Sequence, residues 1–173
     1  MEQTKPLAMI FADDGSIPNN PQLALLLYRA ALDIKGIADP ERLFMDTFSR
    51  NHWGEMWQNG IYPFPHYHSA THEVLGVARG RAKVRFGGEH GRDVDLMASD
   101  IAVLPAGTGH QCLWASPELL VVGAYPPNGR YDLCRGNNAE YTRALAAIPR
   151  VPMPETDPVF GENGPLTKLW RSQ

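Results

Sequence analysis

The sequence predicts an all-β domain of antiparallel strands, a sandwich or barrel, with helical additions before and after it. Two observations carry this. Between Trp53 and about Val122 the chain runs in short stretches rich in Val, Ile, Trp and Phe, broken by Gly, Pro and Asp at the spacing of strands joined by tight turns. On either side of that region, apolar residues recur at helical rather than alternating intervals. With 173 residues, 43% hydrophobic and 20% charged, the composition is that of one ordinary globular domain, and no internal repeat marks a second one.

The first apolar run, residues 7–12, is too short and too soon followed by Asp13 and Asp14 to be a signal peptide, and no run approaches membrane-spanning length. Residues 20–33 are expected to be a helix: Asn20 stands as N-cap, Pro21 in the first turn, Leu23, Leu26, Leu27 and Ala30 share a face, and Gly36 follows as a stop. A second cap and proline pair, Asp39-Pro40, opens a segment in which Leu43, Phe44, Thr47 and Phe48 repeat at helical spacing, although its latter half would also suit an extended chain. The strand region follows, with Gly87-Gly88-Glu89-His90-Gly91 as its clearest hairpin loop. After Tyr125-Pro126-Pro127 one more helix is expected, capped near Asn138, burying Tyr141, Ala144, Leu145 and Ile148, and ended by Pro149. The proline-rich stretch from Val151 to Leu166 is unsuited to regular structure, yet Val159, Phe160, Leu166, Leu169 and Trp170 are too apolar for a free tail. It is expected to drape over the strands or over a partner subunit.

Chemistry concentrates in His66-Tyr67-His68-Ser69-Ala70-Thr71-His72-Glu73. Residues i and i+2 of an extended chain face the same way, so His66 and His68 can aim at one point while Tyr67 turns aside. A turn at residues 69–71 would bring the next strand back toward that point. Only one of the adjacent pair His72 and Glu73 can then face inward; the apolar parity of Leu75 and Val77 favours Glu73, and a bulge in the turn would favour His72. A fourth candidate is His110, at the head of the strand that leaves the Pro105-Ala106-Gly107-Thr108-Gly109 turn.

These segments resemble the cupin family. Gly60, His66, His68, Glu73 and Gly80 stand at the spacings of its first motif, and Pro105, Gly107 and His110 match its second. Two positions depart from the pattern: Ser99 replaces the usual opening glycine of the second motif, and Trp114 stands where many members carry asparagine, a change expected to alter the pocket floor. Together with the run ending His72-Glu73-Val74-Leu75-Gly76 and the Asp157-Pro158-Val159-Phe160-Gly161 end, the chain resembles the bacterial YjlB-like branch. The resemblance implies a double-stranded β-helix (jelly-roll) barrel over residues 1–173, with its core at about 53–125, and one divalent transition metal on His66, His68, Glu73 and His110.

Three imidazoles and a carboxylate form a borderline nitrogen and oxygen set that suits Fe, Mn, Ni, Co or Zn and disfavours Ca or Mg. In an octahedral ion about two positions would stay open for a small-molecule ligand. By resemblance the leading classes are dioxygenase and isomerase, with His72 or a metal-bound hydroxide as the candidate base in the motif segments; the alternative is a barrel that binds a small metabolite without turning it over. His52 and His90 are expected to lie on the surface, and Cys112 to pack in the core. The Arg79, Arg81, Lys83, Arg85 stripe reads as a solvated strand face, and Trp53, Trp57, Tyr62 and Phe64 as core rather than pocket mouth. A formal charge of −3 argues against nucleic acid or an anionic membrane as partner. Cys112 and Cys134 make no disulfide framework, so a cytoplasmic protein is expected, with a homodimer as one way to cover edge strands and the apolar tail.

Overall fold

The computed structural model describes residues 5–172. Among the described residues nine strands form two antiparallel sheets: β1 (Leu7–Met9), β2 (Leu25–Tyr28), β3 (Gly54–Asn59), β4 (Glu73–Arg79), β5 (Arg81–Phe86), β6 (Arg92–Met97), β7 (Ile101–Leu104), β8 (His110–Ala115) and β9 (Leu120–Tyr125). The larger sheet has the order β1-β2-β7-β4-β9-β3 and the smaller the order β6-β5-β8. They pack face to face as the double-stranded β-helix that the motifs imply. Three helices accompany them: α1 (Pro40–Arg50), α2 (Asn138–Ala147) and α3 (Pro165–Arg171). No helix among the described residues is long and apolar enough to cross a membrane.

Strand alternation divides the core in two. From β4, Leu75 and Val77 point between the sheets to meet Leu27, Ala82, Val84, Phe86 and Leu96, whereas Val74 and Ala78 point outward beneath α1 and α3. On that outer face lie Tyr28, Phe44, Phe48, Trp53, Leu166 and Trp170, all buried. Each large side chain so buried stabilises the fold by about 1.5–3 kcal/mol, so both faces of the large sheet contribute. A strand covered on both faces loses its polar alternation, and β4 is buried along nearly its whole length.

This double cover explains the main correction to the sequence-based expectation. Residues 20–33 are not a helix; Leu25–Tyr28 is a strand, paired to β1 on one side and to β7 through Leu27↔Ala102 on the other. A continuous apolar run buried on both faces carries no period of its own, so its 3.6-residue recurrence was fortuitous. Asn20 does act as a cap, its Oδ1 accepting from the Gln22 and Leu23 backbone amides, but the turn it closes leads into the sheet. The strand region accordingly begins at Leu7 rather than near residue 53, and the N-terminal addition supplies two strands as well as α1's segment, residues 40–50.

The other elements follow their local chemistry. Asp39 caps α1 by accepting from Arg42 N, and Phe44, Thr47 and Phe48 form its buried face. Asn137 and Glu140 form a reciprocal capping box on α2, which buries Ala144 and, just beyond its end, Ile148, but leaves Leu145 exposed. The Gly87–Gly91 loop joins β5 to β6. On the outside of that hairpin Lys83 pairs with Asp95 and Arg85 with Asp93, while Arg79 pairs with Glu41, so most of the basic stripe is a neutralised outer face. The tail packs against its own chain: buried Asp157 accepts from Tyr28 Oη and from the amides of Val159, Phe160 and Leu166, and α3 then forms despite the prolines. Trp170 completes the cover by donating from Nε1 to Ala24 O.

Candidate metal centre

His66 and His110 are held side by side by a two-way backbone bridge, each amide donating to the other's carbonyl at 3.1 and 2.9 Å. Tyr67 bridges in the same way to Cys134 and sends its ring into a separate cluster with Ile17, Ala106 and Ala144. The extended alternation across residues 66–68 therefore places both histidines on one side. One ring nitrogen from each of His66, His68 and His110 lies within 4.8 Å of the others, and all three residues are buried.

Each imidazole is oriented from behind. Nδ1 of His66 contacts Phe64 O at 3.0 Å, that of His110 contacts Thr108 O at 3.0 Å, and that of His68 contacts Asp132 O at 2.5 Å. A carbonyl only accepts, so each Nδ1 carries the proton and each Nε2 is left as a lone pair. Glu73 adds a carboxylate: its Oε2 lies 3.1 Å from His68 Nε2 and 3.4 Å from His110 Nε2. That oxygen is buried and has no hydrogen-bond donor. Three histidine acceptors thus lie together with the Glu73 oxygen against two of them, His68 and His110, an arrangement that a cation relieves.

The electrostatics agree. Burial pushes the Glu73 carboxyl up, but the His68 and His110 imidazoles outweigh it and hold the group well below the usual carboxylate range. Burial pushes His68 down, while Glu73 and Asp132 lift it above the ordinary histidine value. Burial and the neighbouring His110 push His66 down to about 3. In the absence of a metal, a proton on His68 is the cation that best relieves Glu73. The donor set, three neutral imidazoles and a carboxylate, fits a borderline divalent ion.

His72 faces the other way. It lies on the outer side of the large sheet, where Nδ1 accepts from Ala106 N at 2.9 Å and the ring packs on Trp170 at 4.9 Å between centroids. Burial lowers its pKa to about 4, opposed by the Pro152 carbonyl. It is buried rather than at the surface, and this position removes it as a base for chemistry at the histidine cluster.

The cluster floors a cavity of about 600 Å³. Trp57 and Tyr62, expected in the core, line this cavity instead, and only Trp53 of the aromatic group lies in the core; Phe64 stacks on Tyr62 at 4.8 Å. The Trp57 indole fits because it lies over Gly123, where a Cβ would come within 2.0 Å of the ring. Trp114 is not the pocket floor; it is half-exposed on the outer face, with the Arg81 guanidinium 5.4 Å from its ring centroid. Ser99 takes the place of glycine at φ +85°, held by hydrogen bonds from its hydroxyl to Leu32 O and from its amide to Val77 O. His52 and His90 are exposed and Cys112 packs between the sheets.

Sequence reasoning missed Tyr125, Tyr131 and Asp132. The Tyr125 hydroxyl accepts from Trp57 Nε1 at 3.0 Å and lies beside Glu73, and burial together with that carboxylate raises its pKa. Tyr131 packs against His68 at 5.1 Å. The Asp132 carboxylate accepts from Ser69 N, Ser69 Oγ and Ala70 N, which fixes the turn after His68. The only signal was the polar loop after Pro126 and Pro127, a place where functional groups often sit.

No protein-family profile matches the chain. The chain is 40% identical over 160 residues to the uncharacterised protein YjlB of Bacillus subtilis (strain 168), a match covering 92% of this chain and 93% of that one. Among solved structures, acireductone dioxygenase from Bacillus anthracis, with a cadmium ion in its active centre, aligns at TM-score 0.41 and 14% identity over 61% of this chain and 80% of that one. The ribosomal oxygenase YcfD from Escherichia coli, in complex with cobalt and succinic acid, aligns at TM-score 0.41 and 18% identity over 73% of this chain and 36% of that one. These structural likenesses are loose, and family membership rests on the YjlB relative.

Proposed function

The chain belongs to the YjlB-like family of cupins, and on that premise we propose that it holds one divalent transition metal on His66, His68, Glu73 and His110 and acts as a metalloenzyme on a small molecule. One observation carries this: three Nε2 lone pairs, each fixed by a carbonyl behind its ring, converge with a buried carboxylate that has no donor. A structural role fits poorly, because the set lacks thiolates and opens onto a cavity. An ion of the Fe, Mn, Ni, Co or Zn group held there would supply Lewis acidity, with redox chemistry where the metal allows it.

The chain's own groups favour catalysis over storage. Tyr125 is a buried polar group inside the cavity: its hydroxyl accepts from Trp57 Nε1 and lies against the Glu73 carboxylate, which puts a hydrogen-bonding group beside the proposed metal position. The Trp57 and Tyr62 side chains narrow the cavity around that point. Dioxygenase or isomerase chemistry is the leading class, and a non-catalytic metabolite-binding barrel is the alternative. Elemental analysis of protein purified without chelators, joined to oxygen-uptake assays of the as-isolated and Fe(II)-reconstituted forms, tests both parts. One equivalent of iron with substrate-dependent uptake marks a dioxygenase. Stoichiometric zinc, nickel or manganese without uptake favours isomerase or binding roles, and absence of any metal affinity overturns the proposal.

A further inference from the structure

We propose that the ligand of this cavity is a small amine, its ammonium seated at the cavity mouth between the Glu55 carboxylate and the aromatic faces of Trp57, Tyr62 and Tyr131. The inference rests on the reading of the cavity as the ligand site of the metal centre. It starts from charge. Among the side chains that line the cavity the only formally charged ones, histidines aside, are Glu55 and Glu73; no lysine or arginine lines it. A phosphate, or a carboxylate not taken up at the metal, would meet aromatic faces and a second carboxylate with nothing to pair against.

Glu55 is also placed by an unusual backbone. Strand β3 slips register against β9 between Gly54 and Trp57, and Glu55 sits in that bulge at φ +51°. A bulge re-aims a side chain, and a non-glycine residue in left-handed conformation costs about 1–2 kcal/mol, a cost often met at binding sites. Here the irregularity puts a carboxylate at the mouth. Among the described residues it has neither ion-pair nor hydrogen-bond partner.

The aromatic walls complete a cation site. Tyr62 and Tyr131 are each 47% exposed, at the rim rather than in the core, and Tyr131 packs on both His68 and Tyr125. Faces of tyrosine and tryptophan attract an ammonium, the more so when water is partly excluded. The same surface already uses this interaction once: the Arg135 guanidinium lies 3.7 Å over the Phe64 ring beside Tyr62. An amine bound at Glu55 would leave the other end of the ligand free to reach the histidine cluster with an oxygen or nitrogen donor.

The test uses the full chain loaded with zinc, its metal content measured separately, and titrated with 2-phenylethylamine and with 2-phenylethanol, a neutral probe of nearly the same shape. Calorimetry reads binding. The amine should bind about tenfold more tightly than the alcohol, as one cation–π contact plus one exposed ion pair would give. Glu55→Gln should remove most of that preference with zinc content unchanged. Equal binding of the two probes, or a preference that survives Glu55→Gln, overturns the proposal. If the protein takes up no zinc, the same comparison on the metal-free chain still decides it, so failure of the metal assignment and failure of the amine site are told apart.

Discussion

Where the chain enters β4, its two sides hold the same kind of chemistry to opposite ends. His72, on the outer face, is enclosed by Trp170 and takes the Ala106 amide, whereas Glu73, one residue on, projects inward with an oxygen that no donor of the chain reaches. Each side keeps one unpartnered buried atom, His72 Nε2 outside and Glu73 Oε2 inside, but only on the inner side do the acceptors of several residues gather. Burial of a polar group is thus not by itself a mark of function. What distinguishes the inner face is that oriented acceptors from several residues lie together there, whereas the outer face holds a single imidazole.

The largest effect should come from separating the two neighbours. Glu73→Gln, which keeps shape and removes charge, should abolish stoichiometric metal uptake while the fold persists, and His68→Ala or His110→Ala should do the same. His72→Asn should retain a full equivalent of metal and cost about 2 kcal/mol of stability. Paired elemental analysis and urea denaturation check this, and a His72 variant that loses metal would reverse the assignment.

Next in size is the outer cover itself. Trp170→Ala should destabilise the fold by about 4 kcal/mol, since it empties a fully enclosed site and unpairs Ala24 O. Metal stoichiometry in the folded fraction should not change.

The same comparison has a pH signature. The His72 ring titrates near 4 when folded and near 6.5 when free, so the unfolded chain takes the proton first. Its contribution is complete above pH 6.5 and is lost as the pH falls from there to 4, about 3 kcal/mol in all. The inner face adds a dependence of the other kind: metal must displace the proton from His68, so affinity should climb with pH until that ring is neutral. Denaturation of metal-free protein between pH 7 and 4 reads the first together with the like dependence of His66, and the difference between wild type and His72→Asn isolates the His72 share.

The smallest effect probes the support behind the ligands. Asp132→Ala frees the turn at Ser69 and Ala70 and should weaken metal binding by about ten- to a hundredfold without removing a ligand. Competition with a chromogenic chelator measures it.

What the sequence disclosed follows the same division. His66, His68, Glu73 and His110 were legible because strand alternation and Pro/Gly turns tie their positions to fixed directions within a few residues. Trp57 and Tyr62 were misplaced because an aromatic strand residue looks alike whether it faces a core or a cavity. Residues 20–33 were misread because a strand buried on both faces has no alternation to show. Tyr125 reaches the site from the end of β9, and Tyr131 and Asp132 from the loop that follows, across a long separation in the chain, and no local pattern carries that information.

One consequence of the pairing order concerns time. The β5–β6 hairpin closes over a five-residue loop, with Phe86 opposite Arg92, and can form early, whereas Leu27↔Ala102 and Trp57↔Gly123 join segments far apart in the chain. The bridge between His66 and His110 and the support from Asp132 belong to that late, distant set. A metal bound there would therefore meet a finished pocket rather than help to build one. Its presence should leave the refolding rate nearly unchanged and slow unfolding, making the ion a lock on the completed protein and not a template for its assembly.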